Sequence, residues 1–200
     1  GSSGQLLSTN GSGTLSWASS SGATSVNGLS DALIETNSMY IGNDPSSTTD
    51  DAQYNVALGT TALDAVTTGD YNTAVGYAAL TANTTGLYNT GSGATALAAN
   101  TTGDFNIATG ARALDVNTTG SGNAAIGYNA LGTNTTGARN LAIGYQAYDG
   151  ADTENDNLAI GYDALGGAVA GGEYNVAIGN YSLDANTSGG WNTAVGYDAM

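Results

Sequence analysis

Carboxylates are the only plentiful reactive side chains in this sequence. Asp and Glu number 17 against two Arg (Arg112 and Arg139), with no His, Lys or Cys, for a formal net charge of −15. Without His there is no Ser-His-Asp triad, no imidazole base and no histidine metal site. Without Cys there is no zinc–thiolate site and no disulfide framework. Acidic pairs serve glycoside hydrolysis only when a cleft holds two carboxylates together, and a thin repetitive rod offers none. Asp149, Asp152, Glu154 and Asp156 carry the hard oxygens that calcium takes, yet they lack the EF-hand spacing and read first as a solvated loop. No catalytic, cofactor-binding or metal residue is assigned, and the chain is expected not to be an enzyme. An acidic surface repels phosphate backbones and anionic headgroups, so nucleic acid and membrane surfaces are poor partners. No apolar run approaches the ~18–20 residues of a spanning helix and no signal peptide is present, so no membrane insertion by this segment is expected.

Two polar and aromatic patterns remain. Asn-Thr-Thr begins at Asn83, Asn100, Asn117 and Asn134, and Asn-Thr-Ser at Asn186, all formal glycosylation sequons. They recur at one repeat position and end in Gly, which favours a turn built on Asn and a left-handed glycine. Aromatic residues fall in two slots. Tyr54, Tyr71, Tyr88, Phe105, Tyr174 and Trp191 occupy the first, and Tyr77, Tyr128, Tyr145, Tyr162 and Tyr197 the second. Exposed rows of this kind can stack on sugar rings, but rows in a repeat protein more often pack between rungs or between chains.

What positions these residues is a repeat. Glycines at 42, 59, 76, 93, 110, 127, 144, 161, 179 and 196 stand 17 residues apart in every step but one. The copies begin at Asn55, Asn72, Asn89, Asn106, Asn123, Asn140, Asn157, Asn175 and Asn192, with a degenerate first copy at Ser38. Each continues with a small residue, then usually Val, Ile or Leu, then Gly42, Gly59, Gly76, Gly93, Gly110, Gly127, Gly144, Gly161, Gly179 or Gly196. Ala-Leu pairs such as Ala79-Leu80 follow most bends, varied as Ala147-Tyr148, Ser182-Leu183 and Ala199-Met200. A fixed period marks a solenoid, in which each unit buries its apolar side against its neighbours. Seventeen residues are too few for a helix pair and suit two strands of about five residues with two turns. The 31 glycines and the paired Thr residues would also penalise helix interiors. The expected fold is all-β, a parallel β-solenoid of about ten 17-residue coils.

In Asn72-Thr73-Ala74-Val75-Gly76-Tyr77, Ala74 and Gly76 share one strand face while Thr73, Val75 and Tyr77 share the other. Both faces are largely apolar, and a strand apolar on both faces is usually covered on both. The small face suits the inside of a narrow coil. The outer face, through Val75, Ile126, Ile143, Ile160, Ile178 and Val195, then needs cover from other copies, and a threefold assembly is expected. The leading asparagines read as a stacked amide ladder, since rungs about 4.8 Å apart bring identical amides within bonding range. Nine residues past the leading Asn stand Asp64, Thr81, Ala98, Asp115, Gly132, Asp149, Gly166 and Asp184, so no two acids stack on adjacent rungs there.

Residues 1–37 read as a capping segment and 38–200 as the solenoid. Within the first, Gln5–Thr9 and Thr14–Ala18 flank Asn10-Gly11-Ser12-Gly13 as a hairpin, a Ser/Gly linker follows, and Ser30–Glu35 suits two helical turns that cover the open first rung. Met200 stands midway through a repeat, so the chain reads as a piece of a longer polypeptide.

The repeat Asn72-Thr73-Ala74-Val75-Gly76-Tyr77-Ala78-Ala79-Leu80 with Asn83-Thr84-Thr85-Gly86 resembles the head repeats of YadA-type trimeric autotransporter adhesins in a longer variant. It is closer to repeats in bacteriophage tail fibres, and Gly4 to Trp17 is similar to segments of such fibres. The resemblance implies a homotrimer of left-handed parallel β-rolls, located in a virion tail fibre. On that basis the chain is expected to be a structural fibre segment that projects, or contributes to, host-receptor binding, with itself as partner and host cell-surface glycan as a second candidate. The alternatives are a trimeric adhesin head on a bacterial surface and a self-assembling extracellular filament.

Overall fold

The computed structural model describes residues 5–9, 15–19, 32–35, 37–41, 51–150, 152–167 and 172–200. Thirteen strands and no helix occur among them. β1 (Gln5–Thr9) and β2 (Leu15–Ser19) form an antiparallel hairpin with Leu7 opposite Trp17. Its turn lies outside the described residues.

The remaining strands form one eleven-stranded sheet in sequence order. They are β3 (Ala32–Glu35), β4 (Ser38–Ile41), β5 (Val56–Leu58), β6 (Thr73–Val75), β7 (Thr90–Ser92), β8 (Ile107–Thr109), β9 (Ala124–Ile126), β10 (Leu141–Ile143), β11 (Leu158–Ile160), β12 (Val176–Ile178) and β13 (Thr193–Val195). From β4 to β13 every neighbour is parallel and in repeat register, for example Ala74↔Ala57 and Ala125↔Ala142. A parallel β-solenoid follows directly: each strand returns one rung further along after a full 17-residue coil. The single longer interval does not disturb this, because β11 and β12 still pair Leu158↔Val176 and Ala159↔Ala177.

Two expectations are corrected. Ser30–Glu35 is not a helix within its described part: β3 pairs antiparallel with β4, Ala32 opposite Ile41 and Glu35 opposite Ser38, about a turn at Asn37 with φ 68°. Two isolated helical turns lie below the length at which a helix sustains itself, whereas pairing satisfies the backbone of the first rung's edge. The second correction concerns the Ala-Leu pairs, which form no strand. From β5 onward each coil has one strand of three residues, and the pairs lie in a run of turns in which alternate residues are left-handed, such as Ala78 (φ 54°) and Leu80 (φ 53°). That backbone turns both Ala79 and Leu80 inward, which strict strand alternation forbids, and both are fully buried.

Left-handed residues other than Gly cost on the order of 1–2 kcal/mol each. Rung-to-rung bonding offsets that cost in both directions: the Ala78 N–H donates back to Thr60 (3.0 Å) and the Leu80 N–H donates forward to Ala96 (3.0 Å). The interior is correspondingly thin. A column of small strand residues, including Ala74, Ala108, Ala125 and Ala142, lies across from the columns Ala79–Ala113–Ala130 and Leu80–Leu114–Leu131. At Gly91 a Cβ would sit 3.4 Å from the Leu80 side chain, which shows how closely the two walls approach. Leu114→Ala therefore removes most of one rung's core, and we expect a loss of about 3 kcal/mol, measured by denaturant unfolding.

Candidate interaction face and its ladders

Three hydrogen-bonded columns run along the coils. The leading asparagines form the first. The Asn72 amide donates to the Gly86 carbonyl (2.9 Å) while its Oδ1 accepts the backbone N–H of Asn89 (2.9 Å). The Asn89→Asn106→Asn123→Asn140→Asn157→Asn175→Asn192 steps repeat the backbone-to-Oδ1 bond at 2.8–3.0 Å. Ser38 stands at the head of this column, its Oγ accepting the Asn55 N–H (2.9 Å).

The sequon asparagines form the second column. Their amides chain directly: Asn100 donates to Asn83 Oδ1 (2.8 Å), Asn117 to Asn100 (2.9 Å) and Asn134 to Asn117 (2.9 Å), each also bonding the glycine three residues on. Asn83, Asn100, Asn117 and Asn134 are fully buried, so in the folded rung none presents an amide to a glycan donor. The closing glycine differs from expectation. Gly86 is absent from the positive-φ residues and is needed for clearance, because a Cβ there would meet the Asn83 Oδ1 and lie 2.6 Å from the Gly103 carbonyl oxygen. Positive φ belongs instead to the bend glycines, from 127° at Gly179 to 144° at Gly93. Gly42 lies outside the described residues.

The third column was not anticipated. In four rungs the residue two before the leading Asn caps the preceding rung: Asp70 accepts the Gln53 N–H (2.7 Å), Asp104 the Leu87 N–H (2.7 Å), Ser121 the Asp104 N–H (3.0 Å) and Asn155 the Ala138 N–H (2.8 Å). The signal was present as acceptors recurring at one repeat position, interrupted by Leu87, Ala138 and Gly190. The first Thr of each loop pair acts similarly, Thr84 Oγ1 donating to the Thr101 carbonyl (3.1 Å) and Thr101 to Thr118 (3.0 Å).

The acidic loop does not assemble a cation site. Asp156 pairs with Arg139 through two bonds of 2.7 Å, which hold its carboxyl below the usual range. Glu154 accepts the N–H groups of Asp152 and Thr153 (3.1 Å each), and Asp152 accepts the Thr135 hydroxyl (2.5 Å). Asp149 bonds Gln146 (3.0 Å), and burial raises its pKa. Among the described residues no group of three or more such side chains gathers around a common point. The same coil has exchanged core residues. Tyr148 replaces the inward Leu, is fully buried, and its hydroxyl accepts from the Asn157 amide (2.6 Å); burial pushes its pKa up. The amide chain ends there, leaving Asn134 Oδ1 without a partner.

The outward strand face carries the exposed apolar side chains. Leu58 and Ile107 are each 47 % exposed and Val195 68 %, Val75 and Ile126 are also exposed, and Ile143, Ile160 and Ile178 are half-buried. Aromatic columns border this strip. Tyr54, Tyr71, Tyr88 and Phe105 stack ring on ring at 4.7, 4.7 and 5.2 Å. Tyr128, Tyr145 and Tyr162 stack at 5.2 and 5.4 Å on the other side. Rings stacked along the solenoid cover one another's faces and turn their edges outward. A sugar ring needs a free face, so these columns suit lateral protein contact better than saccharide stacking. Among the described residues no helix is long and apolar enough to cross a membrane. No protein-family model, curated protein or solved structure matches this chain.

Proposed function

We propose that this chain is a structural fibre segment whose copies cover one another along the strand face, forming a stiff trimeric shaft of a phage tail fibre. The observation that carries the reading is the row of exposed and half-buried apolar residues on the outward face between Val56 and Val195, interrupted at β7 by Thr90 and Ser92, on strands whose other face is already buried. Extended exposed apolar surface marks interaction sites, and elongated identical chains bury such a strip by cyclic symmetry. Ten parallel rungs give a length of about 45–50 Å, and continuous ladders resist bending. The shaft projects or contributes to receptor binding at a host surface. Its own activity is reach and multivalency, by which several weak contacts become avidity.

Ile126→Asp combined with Ile143→Asp places two carboxylates in the covered strip, and we expect self-association to weaken by at least about 100-fold, since each buried unpaired charge costs several kcal/mol. The assignment to a virion is tested by immunogold electron microscopy with antibody against this chain. Gold along the tail fibres of phage particles supports it. Gold confined to bacterial cell surfaces replaces it with the adhesin-head reading.

A further inference from the structure

The first aromatic column is fixed from the backbone up. Tyr54, Tyr71 and Tyr88 all leave the chain at left-handed residues, with φ of 60°, 59° and 56°. Each rung is held to the one before it, the Tyr71 N–H donating to the Gln53 carbonyl (3.0 Å) and the Tyr88 N–H to the Asp70 carbonyl (3.1 Å). The same backbone repeated at the spacing of neighbouring strands, about 4.8 Å, sends the side chains out side by side. Their ring centroids stand 4.7 Å apart in both steps, with planes 11° apart at Tyr54 and Tyr71 and 1° apart at Tyr71 and Tyr88. Phe105 continues the stack at 5.2 Å. The second column is looser, at 5.2 and 5.4 Å, and beyond Tyr162 the ring of Tyr181 turns edge-on at 61°.

Stacking alone does not call for phenols here, since Phe105 takes the same repeat position and stacks without one. The three tyrosines are also exposed, so a diffusing oxidant reaches their edges. Tyr71 has a phenol on either side. Desolvation raises its pKa, and the neighbouring Tyr88, Tyr54 and Asp70 add to the shift, so it stays protonated at neutral pH.

We propose that this column is a site of oxidative modification, at which hydrogen peroxide acting through a haem peroxidase joins Tyr71 to Tyr88 or Tyr54 by a bond between ring carbons ortho to the hydroxyls. Each of the two rings gives up one electron and its phenolic proton. The two phenoxyl radicals then pair to form one C–C bond, and the two ortho hydrogens leave as protons while the phenolic oxygens are protonated again. In sum two C–H bonds are lost, one C–C bond is made, and one peroxide is reduced to two waters. The fold selects the partners, because radicals held one rung apart meet without diffusing together. Asp70 favours the positive charge that develops on the Tyr71 ring as it is oxidised. Phe105, with no phenol, ends the reactive run. The bridge ties residues 17 apart in sequence and restricts the unfolded chain as other loop-closing crosslinks do. It needs only neighbouring rungs of one chain, and so stands independently of self-assembly.

The native chain treated with hydrogen peroxide and a haem peroxidase provides the test, read by dityrosine fluorescence, intact mass and mapping of bridged peptides. The expected product runs as a single chain on a denaturing gel, has lost two hydrogens per bridge, and carries Tyr71 linked to Tyr88 or Tyr54. Its melting temperature should rise by roughly 6–12 °C. The same treatment in urea should give at least about tenfold less of these bridges, because the rings are no longer held together. Tyr71→Phe keeps a stacking ring and should abolish the bridges of the first column. Tyr54→Phe combined with Tyr88→Phe, which leaves Tyr71 with no phenol beside it, should do the same. Bridges that form equally well in urea, that join separate chains in place of rungs, or that leave Tyr71 unlinked overturn the proposal.

Discussion

Asn106→Ala is expected to destabilise the solenoid by about 3 kcal/mol. The side chain sits fully buried in the middle of the first ladder, where its Oδ1 accepts the Asn123 N–H (3.0 Å) and its amide donates to the Gly120 carbonyl (2.8 Å). Gly120 keeps a partner in Asn117 (3.0 Å), but the Asn123 N–H is left buried and unpaired. An orphaned buried donor costs about 1–3 kcal/mol, and the vacated volume adds to it. For a chain of this size the melting temperature should fall by roughly 6–12 °C, readable by calorimetry or circular dichroism. Thr102→Ala in the adjacent loop removes an exposed side chain and should change it little. Asn106→Asp gives a second reading with a definite sign. It keeps the acceptor for Asn123 but buries a charge, so its folded-state pKa lies above the ordinary carboxylate value. The protonated form then stabilises the fold at low pH, and that contribution is lost as pH rises through the raised pKa. Equal stability of Asn106→Ala and the parent chain would mean that the ladder contributes nothing.

Gly76→Ala is expected to be more damaging, at upward of about 4 kcal/mol. Its φ of 135° is one that L residues rarely adopt, and a Cβ would stand 2.6 Å from the Gly93 oxygen and 2.7 Å from its carbon. The obstacle is backbone and is itself held, the Gly93 N–H donating to Val75 at 2.8 Å, so relief requires neighbouring rungs to separate. Because each coil touches only its neighbours, the break should divide the cooperative unit and broaden the unfolding transition. Gly122→Ala is the matched control. At φ 71° it lies in a column where Phe105 and Arg139 already adopt 58°, and a Cβ would be 3.6 Å from the nearest atom. With no clash to relieve, that substitution should cost only the left-handed backbone strain of about 1–2 kcal/mol, well below Gly76→Ala. Hydrogen exchange along the solenoid would locate the break near β6 and β7 in the first variant and none in the second.

These two substitutions also mark where reading the sequence succeeded and where it stopped. The 17-residue interval was enough to identify a parallel solenoid, because only a coil returning to the same place needs the same glycine each time. Which strand face turns inward was legible from Ala74 and its equivalents, since a narrow coil accepts only small residues on that side. The Ala-Leu pairs were harder. Adjacent apolar residues look like part of a strand buried on both faces, and the left-handed backbone at Leu80 that turns both inward leaves no mark in composition. The glycine of Asn-Thr-Thr-Gly was expected at a left-handed turn, but its constraint is the next rung's carbonyl, which only the assembled structure reveals. Likewise β3 takes its form from pairing with β4, a tertiary choice that local helix signals at Ser30–Glu35 could not anticipate. The capping acceptors at Asp70, Asp104 and Asn155 were visible as a pattern of short polar side chains, but their roles depend on which N–H groups the coil leaves open.

The outward strand face, uncovered in the single chain, is the surface that the proposed trimer buries. Sedimentation equilibrium of the unmodified chain at micromolar concentration tests that most directly. A single species of three times the 19.7 kDa chain mass, dispersed by Ile126→Asp with Ile143→Asp, is the predicted result. A monodisperse monomer would contradict it.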